Sequence, residues 1–132
     1  MNREYINPPD MAPPASNLYS HVVKAGNTVY ISGQVPRALD GSPAHAGDAE
    51  AQMRLVWANL EKAVSAAGGS SKDLVKTTVY VVGAENLAKI RSARLALLPS
   101  EGRPCSTMVV VAALANPDFL VEVDAIAVLG GD

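Results

Sequence analysis

Two apolar segments close to the C-terminus constrain the fold of this chain more than any other part of its sequence. Residues 103–114 and 120–128 are rich in valine and alanine, and a short Asn-Pro-Asp connection between them predicts two successive strands. Side chains at i and i+2 share one face of a strand, so Glu122 and Asp124 point the same way, roughly 7 Å apart. Two carboxylates in so apolar a segment indicate a groove, a partner or an interface.

These two carboxylates admit two interpretations. One of them could act as a general acid/base whose pKa is raised by its apolar setting. Alternatively, both could form a salt bridge or hydrogen bonds inside an oligomer. The spacing alone leaves both interpretations open.

Length and charge limit the class of protein. The chain has 132 residues, which predicts a single domain over residues 1–132, and it carries a formal net charge of −2 without a run of Lys or Arg. We therefore expect no nucleic-acid partner. A single cysteine excludes an internal disulfide and fits a reducing compartment. No apolar run reaches membrane-spanning length and the N-terminus does not read as a signal peptide, so we expect a cytoplasmic protein without membrane contact.

The remaining periodicity predicts an α+β fold. Four prolines within residues 7–17 predict that residues 1–17 form an extended N-terminal arm. The pattern then predicts the order ββαβαββ, with two helices on one face of a single sheet. The predicted elements are strands at 18–24 and 28–32, a loop at 33–47, a helix from the cap Asp48 to 67, a strand at 73–82, a helix at 84–98, and the two C-terminal strands.

The strand over residues 103–114 is apolar on both faces. Val109 and Val111 lie on one face, whereas Met108 and Val110 lie on the other. Strands that are apolar on both sides are usually covered on both sides, and the two helices can cover only one. The sequence therefore predicts a homo-oligomer with an interface lined by the sheet.

Other candidate residues carry weaker signals. Arg91 and Arg94 fall inside the apolar arc of the second helix, where an arginine must snorkel, pair with an acid or bind an anion. Ser32 and Gly33 end a strand and open the long loop, where a glycine permits close approach of a ligand to the backbone, although an ordinary strand end has the same pattern. The two histidines and Cys105 lack the spacing of a metal site.

Three segments together resemble the Rid (YjgF) family of reactive intermediate deaminases. They are residues 31–36 (ISGQVP), 73–81 (DLVKTTVYV) and 121–127 (VEVDAIA), in the same order and over nearly the whole chain. The resemblance implies a chorismate-mutase-like fold and a homotrimer with three clefts between subunits. It also implies hydrolysis of small enamines and 2-imino acids to 2-keto acids and ammonia, without a cofactor or metal.

The resemblance also implies site residues. Glu122 matches the glutamate that positions a water molecule, and is the candidate catalytic residue. Tyr19 matches a tyrosine that precedes the core of the first strand. Ser32 and Gly33 match the family's Ser-Gly pair at the end of the second strand.

One motif departs from the family. Active deaminases carry a substrate-clamping arginine in Pro-x-Arg-Ser/Thr, whereas this chain has Ser106 at that position and Met108 where a cysteine is common. A serine cannot form a bidentate ion pair, and losing such a contact costs on the order of 2–5 kcal/mol of binding. Arg91 or Arg103 is a candidate for supplying the charge. The chain is thus identified as a divergent member.

Two functions follow. The first is a cofactor-free hydrolase of an enamine, imine or related small molecule. The second is a trimer that binds a small molecule, or interacts with other proteins, and has lost deaminase chemistry. The retained Glu122, Tyr19, Ser32 and Gly33 favour the first function, and Ser106 favours the second.

Overall fold

The computed structural model describes residues 2–130 and contains six strands and two α-helices. The elements in chain order are β1 (Arg3–Ile6), β2 (Val22–Ala25), β3 (Thr28–Gln34), α1 (Ala49–Ala66), β4 (Leu74–Val82), α2 (Leu87–Leu97), β5 (Cys105–Val111) and β6 (Val121–Val128). The predicted order ββαβαββ is confirmed from β2 onward, with β1 as an additional strand.

All six strands form one sheet in the order β1-β2-β3-β6-β4-β5. Neighbouring strands are antiparallel except β4 and β5, which are parallel because α2 carries the chain back between them. The long β6 thus lies at the centre of the sheet, and β5 lies at one edge. This topology puts the glutamate-bearing strand between β3 and β4.

The N-terminal arm differs from its prediction. Residues 3–6 pair with β2, from Arg3 opposite Ala25 to Ile6 opposite Val22, and so extend the sheet. This strand is short, and its side chains are mostly exposed. Because exposed side chains need not be apolar, its sequence lacks the apolar alternation that marks a half-buried strand. The proline-rich segment after it contains no strand and ends in a short 3₁₀ helix at Ala15–Asn17.

Both helices cover one face of the sheet. The Asp48 carboxylate caps α1 by accepting a hydrogen bond of 3.0 Å from the Ala51 backbone N–H. The apolar stripe of α1 packs with β3, β4 and β6 in a single core, whose fully buried members include Met53, Leu60, Val79 and Val123. The α+β architecture with two helices on one face is therefore confirmed.

The opposite face of the sheet carries no helix. Tyr30, Val109 and Val128 on this face are exposed in the single chain, with 50%, 38% and 45% of their surface accessible. This is the face for which the two-sided apolar pattern predicted cover by other copies of the chain. Within residues 2–130, no helix combines the length and the apolar character that a membrane crossing needs.

Candidate functional site

An open pocket of ≈ 400 Å³ lies where the end of β3 meets the start of β6. Its walls come from the segment before β2, from the first residues after β3, and from the connection between β5 and β6. The lining residues are Ala15, Ser16, Leu18, Tyr19, Ser32, Gly33, Val35, Arg37, Ala115, Phe119 and Glu122. The fold thus brings together four residues that the sequence singled out: Tyr19, Ser32, Gly33 and Glu122.

The Glu122 side chain lies directly against the backbone of Gly33. A β-carbon built on Gly33 would lie 2.7 Å from the Glu122 carboxyl carbon, closer than real β-carbons approach, and 3.0 Å from its Cγ. The pairing of β3 with β6 shifts register between Ile31 and Gln34, so Gly33 lies in a local irregularity of the sheet. Glycine is needed here because the carboxylate occupies the space of a side chain.

The surroundings of Glu122 favour its protonated form. The side chain is half-buried, and this burial raises the pKa of the Glu122 carboxyl above its ordinary value, with a further upward contribution from the charge of Asp124. Asp124 accepts a hydrogen bond of 3.0 Å from the Tyr80 hydroxyl, which raises the pKa of Tyr80. Glu122 and Asp124 point the same way, as predicted. The charge of Asp124 therefore contributes to the raised pKa of Glu122.

The wall that carries Tyr19 is anchored by a buried histidine. The His21 ring Nε2 lies 2.7 Å from the Ala12 carbonyl, and its Nδ1 lies 3.2 Å from the Gln34 amide nitrogen. These partners assign Nε2–H as the donor and Nδ1 as the acceptor. The Tyr19 ring packs edge-on against His21, with 5.9 Å between ring centroids. His21 thus holds the segment before β2 against the end of β3.

The first predicted strand begins later than expected. Its prediction covered residues 18–24, but β2 starts only at Val22, so Tyr19 and His21 belong to the preceding segment. The chain there is held by one backbone and one side-chain hydrogen bond from Ser32. Its backbone N–H donates to the His21 carbonyl at 2.9 Å, and its hydroxyl donates to the Ser20 carbonyl at 2.6 Å. Local periodicity could not show this, because the contacts come from distant residues.

The other candidate residues lie away from the pocket. Ser106 and Met108 are on the helix-covered side of the sheet, since Ser106 is the register partner of the fully buried Thr77. Glu122 is on the opposite side, as the register partner of Tyr80. Strand spacing and rise put Ser106 and Glu122 on the order of 14 Å apart within one chain.

Two arginines proposed to supply the missing charge are exposed. Arg91 lies at the margin of the apolar arc of α2. The prediction put it inside this arc, but its side chain is exposed in the single chain. Arg103 is also exposed, and its Nε donates to the Pro99 carbonyl at 2.7 Å. Neither side chain lines the pocket around Glu122.

Arg94 is the arginine that reaches Ser106. Its Nη2 donates to the Ser106 hydroxyl at 2.9 Å, and the side chain is half-buried between α2 and the sheet. The sequence placed Arg94 in the apolar arc but not among the site residues. Seven of the eleven lining residues were not among the site residues chosen from the sequence. Arg37 is the charged one and Phe119 the aromatic one, and Arg37 directly follows the segment 31–36 that resembles a family motif.

Metal-binding geometry is not found in the described part of the chain. Among residues 2–130, no three His, Cys, Asp or Glu side chains are grouped so as to hold a metal ion.

Comparison with known proteins shows the family to which this chain belongs. Residues 10–129 match the family model described as endoribonuclease L-PSP. A curated relative, the 3-aminoacrylate deaminase RutC of Acinetobacter baylyi, is 34% identical over 127 residues, covering 96% of this chain and 98% of the relative.

Solved structures agree with this match. The RidA protein of the Antarctic bacterium Psychrobacter superposes with a TM-score of 0.86 at 33% identity, covering 96% of this chain and 99% of that one. A protein of the Rid family from Yersinia pestis, of unknown function, superposes with a TM-score of 0.89 at 26% identity, covering 97% and 100%. The fold is thus shared over nearly the whole chain.

Proposed function

Because this chain belongs to the Rid (YjgF) family, we propose that it hydrolyses a small enamine or imine to a carbonyl compound and ammonia. Its curated relatives support a small-molecule deaminase or binding role, since one of them is the 3-aminoacrylate deaminase RutC. The substrate of that relative is itself an enamine that carries a carboxylate. We propose the same chemical class for this chain.

The observation that carries the proposal is the Glu122 carboxyl against Gly33. It is the acidic side chain that lines the pocket, and burial together with the charge of Asp124 raises its pKa above the ordinary value. A raised pKa makes the carboxylate a stronger base toward a bound water molecule. Tyr19 on the opposite wall and the apolar Phe119 limit the space beside it, which suits a small substrate.

The proposed reaction needs one water molecule, and both of its protons move from oxygen to nitrogen. The Glu122 carboxylate accepts a proton as the water oxygen attacks the C=N carbon of the imine, so a C–O bond forms and the C=N π electrons move to nitrogen. The proton then passes to the amine nitrogen of the carbinolamine. Glu122 next accepts the hydroxyl proton as the C=O bond forms and delivers it to the nitrogen, so the C–N bond breaks and ammonia leaves. An enamine enters the same sequence after protonation at carbon.

We also propose that the chain acts as a homotrimer. Glu122 and Ser106 lie on opposite faces of the sheet, so one chain cannot bring the two positions to the same ligand. A second copy packed on the helix-free face would place its own edge strand near the first copy's pocket. The exposed valines of that face supply apolar area for such an interface.

Net charge bears on the class of substrate, and the single cysteine bears on the compartment. The formal net charge of −2 does not favour RNA as a substrate, even though the family description names an endoribonuclease. The free thiol of Cys105 is exposed, which fits the reducing cytoplasm.

Ammonia release tests the proposal. Imines are generated in place by an amino-acid oxidase, and the rate of ammonia release above the spontaneous rate is measured for the parent and for Glu122→Gln. The parent should accelerate release, and the variant should lose about 10²- to 10⁴-fold of that acceleration. A folded parent protein that accelerates release from no imine would refute the hydrolase function.

Ser106 favours a second candidate function. Without an arginine at this position of β5, the chain could bind a small molecule without turning it over. Saturable binding of a 2-keto acid together with unaccelerated imine hydrolysis would favour this binding function.

A further inference from the structure

Arg94 is an incompletely partnered cation at the edge of the sheet. Its Nη2 donates to the Ser106 hydroxyl at 2.9 Å and makes a long contact of 3.5 Å with the Thr77 hydroxyl. Its Nε is buried and has no hydrogen-bond partner within residues 2–130. A guanidinium has five N–H donors, so two neutral hydroxyls leave most of its hydrogen-bonding capacity unused.

No acid of the described residues compensates the charge of Arg94. Among residues 2–130, no Asp or Glu pairs with Arg94, and burial alone lowers the pKa of its guanidinium. A half-buried charge without a counter-charge is unfavourable, because it loses hydration and gains no Coulomb attraction in return. Such a side chain is favoured where an anion completes the site during function.

The position of Arg94 makes an anion accessible to it. Ser106 is exposed and lies on β5, which has no neighbour on its outer side. The Ser106 hydroxyl holds Nη2 of Arg94 at this edge. The planar fork of an arginine matches the two oxygens of a carboxylate.

We propose that Arg94 binds the carboxylate of the substrate, so that α2 supplies a guanidinium at the place where β5 carries Ser106. This inference rests on the proposed function, because that function makes a carboxylate the expected anion. Arg94 thus takes the carboxylate-binding role that the sequence suggested for Arg91 or Arg103. Both of those side chains are exposed, and Arg103 is hydrogen-bonded to its own loop. Ser106 acts as the positioning residue for Arg94.

Binding of pyruvate tests this assignment without requiring catalysis. Pyruvate and its neutral analogue pyruvamide are titrated, by calorimetry, into the parent, Arg94→Gln and Arg54→Gln. Arg54 is an exposed arginine of α1 and serves as the matched control. Arg94→Gln should weaken pyruvate binding roughly 10- to 100-fold while changing pyruvamide binding little, and Arg54→Gln should leave both unchanged.

A relocated arginine supplies a second test. The double variant Arg94→Ser, Ser106→Arg moves the guanidinium from α2 to β5 and should bind pyruvate at least tenfold more tightly than Arg94→Ser alone. Arg94→Lys keeps the charge and loses the fork, and should bind with intermediate affinity. Thermal unfolding of each variant shows whether it is folded, and Arg94→Lys replaces Arg94→Gln if the latter does not fold.

Three results would overturn the assignment. They are pyruvate binding that is unchanged in Arg94→Gln, an equal loss for pyruvate and pyruvamide, and inorganic phosphate binding more tightly than pyruvate to the parent. The proposed hydrolysis fails by a different result, namely no accelerated ammonia release by the parent. Pyruvate binding that depends on Arg94 would still support the assignment in that case.

Discussion

The Glu122 carboxyl group occupies the space that a side chain at position 33 would need. Its carboxyl carbon is 2.7 Å from where a β-carbon on Gly33 would lie, although the Gly33 backbone is not in the left-handed region that favours glycine. The contact, and not the backbone conformation, therefore explains why a glycine suits this position. It also makes the carboxylate position sensitive to the smallest possible substitution at Gly33.

Gly33→Ala should displace the Glu122 side chain. We expect a loss of about 1–3 kcal/mol of stability from overpacking, together with a fall in deaminase activity. Combining Gly33→Ala with Glu122→Ala should recover most of the stability, because the second change empties the space. Urea unfolding of the two single variants and the double variant gives the coupling free energy. Additive effects in this cycle would show that the two residues do not compete for space.

Glu122→Gln should alter the pH dependence of stability. The pKa of Glu122 is raised in the folded chain, so the unfolded chain loses this proton first as the pH rises above the ordinary value of 4.5. The stability that the protonated carboxyl contributes is thus present at low pH, and it is lost as the pH rises to the raised pKa. The variant should gain stability relative to the parent as the pH rises from about 4 to 7.

Unfolding midpoints of both proteins over that pH range measure the effect. Glu61→Gln, at an exposed position of α1, is the control, and its unfolding midpoint should change with pH as that of the parent does. A constant difference between Glu122→Gln and the parent at every pH would contradict the raised pKa.

Asp124→Asn should shift the activity profile to lower pH. The charge of Asp124 contributes, after burial, to the raised pKa of Glu122, so its removal lets Glu122 ionise at lower pH. The rise of kcat/KM with pH should then occur earlier than in the parent. Tyr80→Phe removes the hydrogen bond to Asp124 but keeps its charge, and should not produce this shift. Superimposable profiles for Asp124→Asn and the parent would exclude the coupling.

Val109→Asp should break the proposed homotrimer. Val109 is on the helix-free face of the edge strand, and a carboxylate there would be buried without a partner in an interface between copies. Sedimentation should show trimers for the parent and monomers for the variant. Val109→Thr has a similar shape without charge, and should remain trimeric. A parent protein that sediments as a stable monomer would remove the basis for the interface.

The sequence determined those features that depend on local periodicity. The two-residue period put Glu122 and Asp124 on one face, the helical period defined α1 from its Asp48 cap, and both patterns survive in the fold because neighbouring residues enforce them. Together with three motif segments they were sufficient for the α+β class and the family. They were insufficient for β1, whose exposed side chains carry no apolar pattern.

Tertiary structure decided which distant groups meet. The contact of Glu122 with Gly33 requires the pairing of β3 with β6, and the contact of Arg94 with Ser106 requires α2 to pack beside the parallel pair β4 and β5. A helical projection placed Arg91 and Arg94 in one arc, but only packing exposes the first and half-buries the second. Periodicity gives the direction of a side chain on its own element, whereas its partner is set by which elements become neighbours.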